Sequence, residues 1–289
     1  MRHRFIFLPL LLMAAGVSAQ EVGSRLSEDQ IRDLFRKVAD ADLKNDKVQH
    51  DYTYTEREET HVLDGNGQVK STEIKTYEVM DLYGSEVRRL VAKDDKQLSS
   101  EEAAKEEARI QKIVVRRGGE GEKEREKREE RSDKKREEDR QFVREVADAY
   151  NFQLVSNESM DGRETYVIDG EPRPGYRPHL KEAAILHKFR FRAWIDKDEA
   201  EWRKLDIQCI DTVSFGLFLA RLHKGSRVRL DQVRINNEVW LPQHLAVKVD
   251  ARVALLKEFN LEFDTTYRDY KKFRTETKIV PVGEVQEQH

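Results

Sequence analysis

The sequence predicts an α+β fold built on a curved antiparallel sheet with one apolar face. Three observations carry this. From Phe189 to Phe273 strand follows strand, most of them alternating in polarity. A capped amphipathic stripe stands ahead of the first strands, and a highly charged stretch at 101–140 interrupts the strand pattern once.

The first helix starts at Ser27-Glu28-Asp29-Gln30, a capping box in which the Ser hydroxyl accepts from the third helical N–H and the Gln reaches back. Ile31, Leu34, Phe35 and Val38 then share one face, so a helix is expected from Glu28 to about Lys44. Tyr52 and Tyr54 alternate with polar residues, and Thr53, Thr55 and Thr60 favour extended backbone. Asp64-Gly65-Asn66-Gly67 turns the chain, Val69 to Leu82 returns, and Glu86 to Lys93 makes a third strand. The polar alternate positions of this meander imply one wetted face.

Between 101 and 140 acids and bases are interleaved in near balance. Ser100 to Val115 and Asp133 to Tyr150 read as helices, the second docking through Phe142, Val143, Val146, Ala147 and Tyr150. The segment between them, broken by Gly118, Gly119 and Gly121, is expected to be solvated and mobile. Interleaved signs and a net charge of −3 provide no field to gather nucleic acid.

Asn151 to Ser156 and Glu164 to Asp169 read as strands joined by Met160-Asp161-Gly162, and Gly170 to Pro178 as a loop. Leu180 to His187 fits a short helix or a lead-in strand. Phe189, Phe191, Ala193 and Ile195 share one face of the next strand, opposite Arg190, Arg192 and Trp194. Leu205, Ile207 and Cys209 keep phase on the return. Thr212 to Leu222 is apolar with mixed period, leaving strand and helix open. Val228 and Leu230 lie in one phase, Val233 and Ile235 in the other, which a bulge near Asp231 reconciles. Asn236-Asn237 makes a hairpin turn before Trp240 to Val249, and Leu261, Phe263 and Thr265 alternate along the last strand.

The ends point to export. Arg2 and Arg4 precede an apolar run from Phe5 to Ala15, and Val17-Ser18-Ala19 fits a cleavage site after Ala19. The expected organisation is a signal peptide at 1–19, one domain at 20–275 with the charged helical insertion at about 100–148, and a flexible tail at 276–289. No apolar run in the mature chain reaches the ~20 residues of a spanning helix. The lone cysteine, Cys209, excludes an intramolecular disulfide and fits a small core residue.

Catalytic signatures are missing. There is no HExxH, GxSxG, P-loop or Cys-x-x-Cys, and Gly65-Asn66-Gly67 lacks a third glycine. The histidines form no close pair at helical or strand spacing, so neither a metal nor a cofactor is expected. A hydrolase built on isolated carboxylates or His187 is the weakest reading.

Four pieces in order resemble the LolA/LolB-like superfamily, in particular its outer-membrane lipoprotein-sorting-protein branch. They are Tyr166-Val167-Ile168-Asp169-Gly170-Glu171-Pro172, Trp194-Ile195-Asp196-Lys197, Gln232 with Val239-Trp240-Leu241-Pro242, and Tyr267 to Phe273. The resemblance covers about residues 27–275. It implies a periplasmic, non-enzymatic protein whose sheet forms an unclosed β-barrel, a half-barrel, with helices packed on its concave side. The charged insertion and the polar first meander depart from that pattern, and Arg190 and Arg192 match the carriers' arginine by position alone.

The primary expectation is a carrier or binding protein for a lipid, an acylated protein or another hydrophobic ligand. The cavity residues expected are Phe191, Ile195, Ile207, Leu230, Leu245, Val247, Leu261 and Phe263, with plain core packing the alternative for each. The second expectation is an envelope scaffold or stress-sensing protein that binds a protein partner through the charged helices.

Overall fold

The computed structural model describes residues 26–215, 220–253 and 257–272. Helix α1, Glu28–Gln49, opens with the expected box: Ser27 N–H donates to Gln30 Oε1 at 2.8 Å, and Gln30 N–H to Ser27 Oγ at 3.2 Å. Its buried face is Ile31, Leu34, Phe35, Val38 and Ala39. The helix outruns the expected end at Lys44 because tertiary contacts extend it. Asn45 Nδ2 donates to Trp240 O and Trp240 N–H donates to Asn45 Oδ1, both at 2.7 Å, while Val48 packs on Tyr52, Val239 and Leu241.

Four strands follow: β1 Tyr52–Leu63, β2 Val69–Asp81, β3 Glu86–Lys93 and the short β4 Lys96–Gln97. Helices α2, Ser100–Gly118, and α3, Glu122–Ala149, form the insertion. The remaining strands are β5 Tyr150–Met160, β6 Arg163–Pro172, β7 Phe189–Asp196, β8 Trp202–Cys209, β9 Val213–Phe215, β10 Ala220–Leu222, β11 Arg227–Ile235, β12 Val239–Val253 and β13 Lys257–Lys272. A 3-10 turn, Glu182–Lys188, leads into β7.

The main path runs β4-β3-β2-β1-β13-β12-β11-β8-β7-β6-β5, with the β9–β10 hairpin paired to β12. Neighbours pair antiparallel throughout, and the end strands β4 and β5 do not meet, so the half-barrel stays open. The register shifts between Asp231 and Gln232, and this bulge joins the two phases of β11. Asn236 and Asn237 turn with φ of 51° and 56°, left-handed values that Asn tolerates, and Glu238 N–H donates to Ile235 O at 3.1 Å before Val239 pairs with Ile235.

Two local expectations are corrected and one open alternative is decided. β6 continues through Gly170 to Pro172 instead of ending at Asp169, because Gly170 leaves room for Phe191 on the neighbouring strand: a Cβ at Gly170 would lie 2.4 Å from that ring. The insertion is helical from Glu122, not from Asp133. Its interleaved charges pair along the helix, as Arg136 with Asp133 at 3.1 Å, and Glu120 ties Arg117 at 3.3 Å to Arg128 at 3.1 Å across the turn. The 212–222 stretch is a hairpin of two short strands, with 216–219 outside the described residues. The expected signal segment, the expected tail and Phe273 also lie outside them.

Helices α1 and α3 share one face of the sheet. Phe35 stacks on Phe152 at 4.6 Å and meets Phe191 and Trp202, each at 5.7 Å, above Ile168, Ala193 and Ile195. Arg136 bonds Asp46 at 2.5 Å, and Arg140 and Arg144 both reach Asp40 at 2.8 Å, fastening α3 to α1. Helix α2 runs along the β3 edge: Leu90 N–H donates to Glu106 Oε1 at 2.8 Å, and Arg109 donates to Arg88 O.

Candidate functional site

On the helix-bearing face the register aligns apolar side chains directly across the sheet. Phe191 pairs with Ile207, Ile207 with Val228, Val228 with Val247, and Val247 with Phe263. A parallel row runs Leu205, Leu230, Leu245, Thr265, and a shorter one joins Val249 to Leu261 and Leu261 to Val62. At ~4.8 Å between strands, the first row spans roughly 19 Å.

The eight expected cavity residues divide in two. Ile195 is 0% exposed in the core beneath α1, and Phe191 packs on Phe35, Phe152 and Tyr150 there. Ile207, Leu230, Leu245, Val247, Leu261 and Phe263 lie together on the same face beyond that core. They are half-buried and belong to none of the buried clusters among the described residues. The reason is geometric. α1 covers β5 to β7 and the Trp202–Leu205 part of β8 and reaches the start of β12, whereas the strip runs from Ile207 across the middle of β12 to the first half of β13.

The strip ends in a polar wall. On β1 the next inward positions are Thr60, Glu58 and Glu56. Arg88 bonds Glu56 and also Glu58 at 3.0 Å, and lies 3.9 Å over the Tyr77 ring. This follows from the polar alternate positions of the first meander.

The opposite face is a lattice of ion pairs. Arg192 holds Asp169 at 2.6 and 2.8 Å, Arg227 holds Asp206, Lys248 meets Glu262 at 2.8 Å, and His244 meets Asp264 at 2.9 Å. Two open clefts of about 540 and 290 Å³ lie there, sharing Gln208 and Arg227. Arg190 donates to Gln208 Oε1 at 2.7 Å on this face, so both candidate arginines stand away from the apolar strip.

Cys209 is buried, donates through Sγ to Asp211 O at 3.0 Å, and burial pushes its thiol up. His187 is exposed on the 3-10 turn. No set of three or more His, Cys, Asp or Glu side chains suits a metal ion among the described residues.

Sequence reasoning missed Val228, Val249 and Val62, which complete the strip, and Thr60, at which it ends. Val228 and Val249 sit two residues from Leu230 and Val247, so the period of two was a usable signal. It also missed the ring cluster of Tyr54, Tyr267 and Tyr270, with centroids 5.9 and 5.3 Å from Tyr54. The Tyr52–Tyr54 alternation marked a strand and nothing more.

No protein-family model and no curated protein sequence matches this chain. Similar solved structures include a domain from Vibrio parahaemolyticus described as an outer membrane lipoprotein-sorting protein, with TM-score 0.35 and 9% identity over 85% of this chain and 95% of that one. A LolA superfamily protein from Nitrosomonas europaea matches with TM-score 0.31 and 12% identity over 84% and 93%. The Pseudomonas aeruginosa MucA/MucB complex matches with TM-score 0.24 and 11% identity over 84% and 99%. The first two carry the names of the superfamily that the sequence resembles. At these TM-scores the likeness assigns this chain neither ligand nor partner.

Proposed function

We propose that this chain is a non-enzymatic binding protein of the periplasm that holds an aliphatic chain, from a lipid or an acylated protein, along the strip from Ile207 to Phe263. The observation that carries the reading is that six aligned apolar side chains remain half-buried on the face where the helices pack. An aliphatic chain laid there gains about 0.8 kcal/mol for each CH₂ removed from water. Such contact is non-directional, which fits a surface without a signature polar residue. The periplasmic placement rests on the pattern of Arg2, Arg4, the apolar run and Val17-Ser18-Ala19. Among the described residues no helix is long and apolar enough to cross a membrane.

Delipidated protein should bind a fluorescent fatty acid saturably, and native mass spectrometry of the unstripped protein should reveal a lipid adduct. Phe263→Asp, at a half-buried position, should cut fatty-acid affinity at least about tenfold, since one charge is set in an apolar contact, while circular dichroism stays native. Affinity unchanged by the Asp side chain, or no binding by the wild-type protein, would sink the reading.

The second reading, binding of an envelope protein through α2 and α3, is favoured by Val115, which is 64% exposed on α2. It requires a partner lost on deletion of 101–140 and retained by Phe263→Asp.

A further inference from the structure

The strip leads along β13 to a different kind of surface. Phe263, Thr265 and Tyr267 point to the same face, four residues or roughly 14 Å from first to last. Tyr267 opens onto a hollow of about 270 Å³ between the end of α1 and strands β1 and β2. Its lining includes Tyr52, Tyr54 and Tyr267 and the acidic residues Glu56, Asp81 and Glu86. Among the described lining residues His50 is the one basic side chain; it is engaged with Asp81, Nδ1 to Oδ2 at 3.0 Å, and its Nε2 lies 2.9 Å from the Arg136 guanidinium.

Charge and aromatic faces coincide here. Glu56 is buried towards the floor, and Glu86 is exposed at the rim, where it accepts from Tyr54 OH at 3.1 Å. Arg88 is the guanidinium that answers Glu56, and it is shared with Glu58. Arg88 is thus divided between Glu56 in the lining and Glu58 outside it, and Glu86 has no ion-pair partner among the described residues. Burial pushes the Tyr267 phenol up to about 12, so the ring is neutral and presents the negative face of its π-system. Several neutral rings with unbalanced carboxylates around a small volume make the chemistry that favours a weakly hydrated organic cation. An aliphatic group alone would leave those carboxylates desolvated without a partner.

We propose that this hollow is a binding site for an organic ammonium group, with Tyr54 and Tyr267 contacting it through their ring faces and Glu86 supplying charge at the rim. The same ammonium chemistry is presented by a free amine such as choline and by the head of a cationic amphiphile. The position of the hollow at the end of the strip favours the amphiphile, an extension that rests on the function proposed above.

The full chain is titrated by NMR with choline, with its uncharged isostere 3,3-dimethylbutan-1-ol, and with decyltrimethylammonium below its micelle concentration. Choline should bind saturably and the isostere should not. Glu86→Gln and Tyr267→Leu, each checked for native circular dichroism, should each weaken choline binding about tenfold. Decyltrimethylammonium should bind tighter than choline, and Phe263→Asp should remove that gain while leaving choline affinity intact. If choline fails to bind, binds no better than the isostere, or ignores both variants, the ammonium site is wrong, and fatty-acid binding still stands or falls separately. If choline binds as expected but the decyl chain adds nothing, the site is one for free amines and the amphiphile extension is overturned.

Discussion

Glu201 is 5% exposed, and its Oε2 lacks a hydrogen-bond partner. Burial comes first among the causes that push its carboxyl up to about 8, followed by the facing charges of Asp42 on α1 and of Glu199 and Asp196 at the β7–β8 turn. Its neighbour Asp196 shows the opposite outcome. Burial opposes ionisation there too, yet Arg163 at 2.6 and 2.7 Å and the N–H groups of Asp198 and Glu199 hold it below the usual range. Arg234 takes Glu199 at 2.7 Å, and no cation pairs with Glu201 among the described residues. The fold keeps a proton on Glu201 that the unfolded chain releases near 4.5, so this group's contribution to stability declines as pH climbs from about 4.5 to about 8. Glu201→Gln should therefore stabilise the protein by about 4 kcal/mol at pH 8 and by almost nothing at pH 4, read as melting temperature against pH. An equal shift at both pH values would show that the proton is not involved. Glu201 was illegible in a chain with 56 acidic residues. Only folding brings Asp42 opposite it, and no local pattern announces such a pairing.

At the scale of elements, α2 acts as an edge cover. Strand β3 presents unpaired backbone beyond its two-residue contact with β4, and Glu106 and Arg109 take up the Leu90 N–H and the Arg88 carbonyl. The helix is held by Ile110, 8% exposed against Leu82 and Val87. Ile110→Asp should release it. Hydrogen exchange at the Leu90 amide should then accelerate at least about a hundredfold, a loss of roughly 3 kcal/mol of local protection, and light scattering should report self-association at elevated protein concentration. Protection unchanged at Leu90 would mean that α2 is dispensable to the edge. The helical nature of 100–115 was legible from its charge spacing. Its place on an edge was not, because interleaved Glu, Lys and Arg also suit a helix surrounded by water.

At the scale of the molecule, β13 is the keystone. It pairs on one side with β1 from the start of the chain and on the other with β12. Without it the β1–β4 meander has no strand partner in the remaining sheet. A chain ending at residue 256 should lose its near-ultraviolet dichroism and become sensitive to protease, whereas one ending at residue 275 should keep the wild-type melting transition. A native signal from the shorter chain would show that the helices alone hold the two parts together. Pairing of such sequence-distant strands also makes folding slow relative to a helical protein, because loop closure precedes the stabilising contacts.

The periods of two and 3.6 by themselves determined the strands around the apolar strip, the bulge near Asp231 and the buried stripe of α1, since a side chain's face follows from its position in its own element. Six of the eight chosen residues consequently share an open surface, but Ile195 and Phe191 look the same in sequence and lie under α1. Only the tertiary structure decided which part of one apolar face is covered. Where a helix stops along a sheet depends on contacts such as Asn45 with Trp240, made by groups 195 residues apart, and periodicity carries no information over that distance.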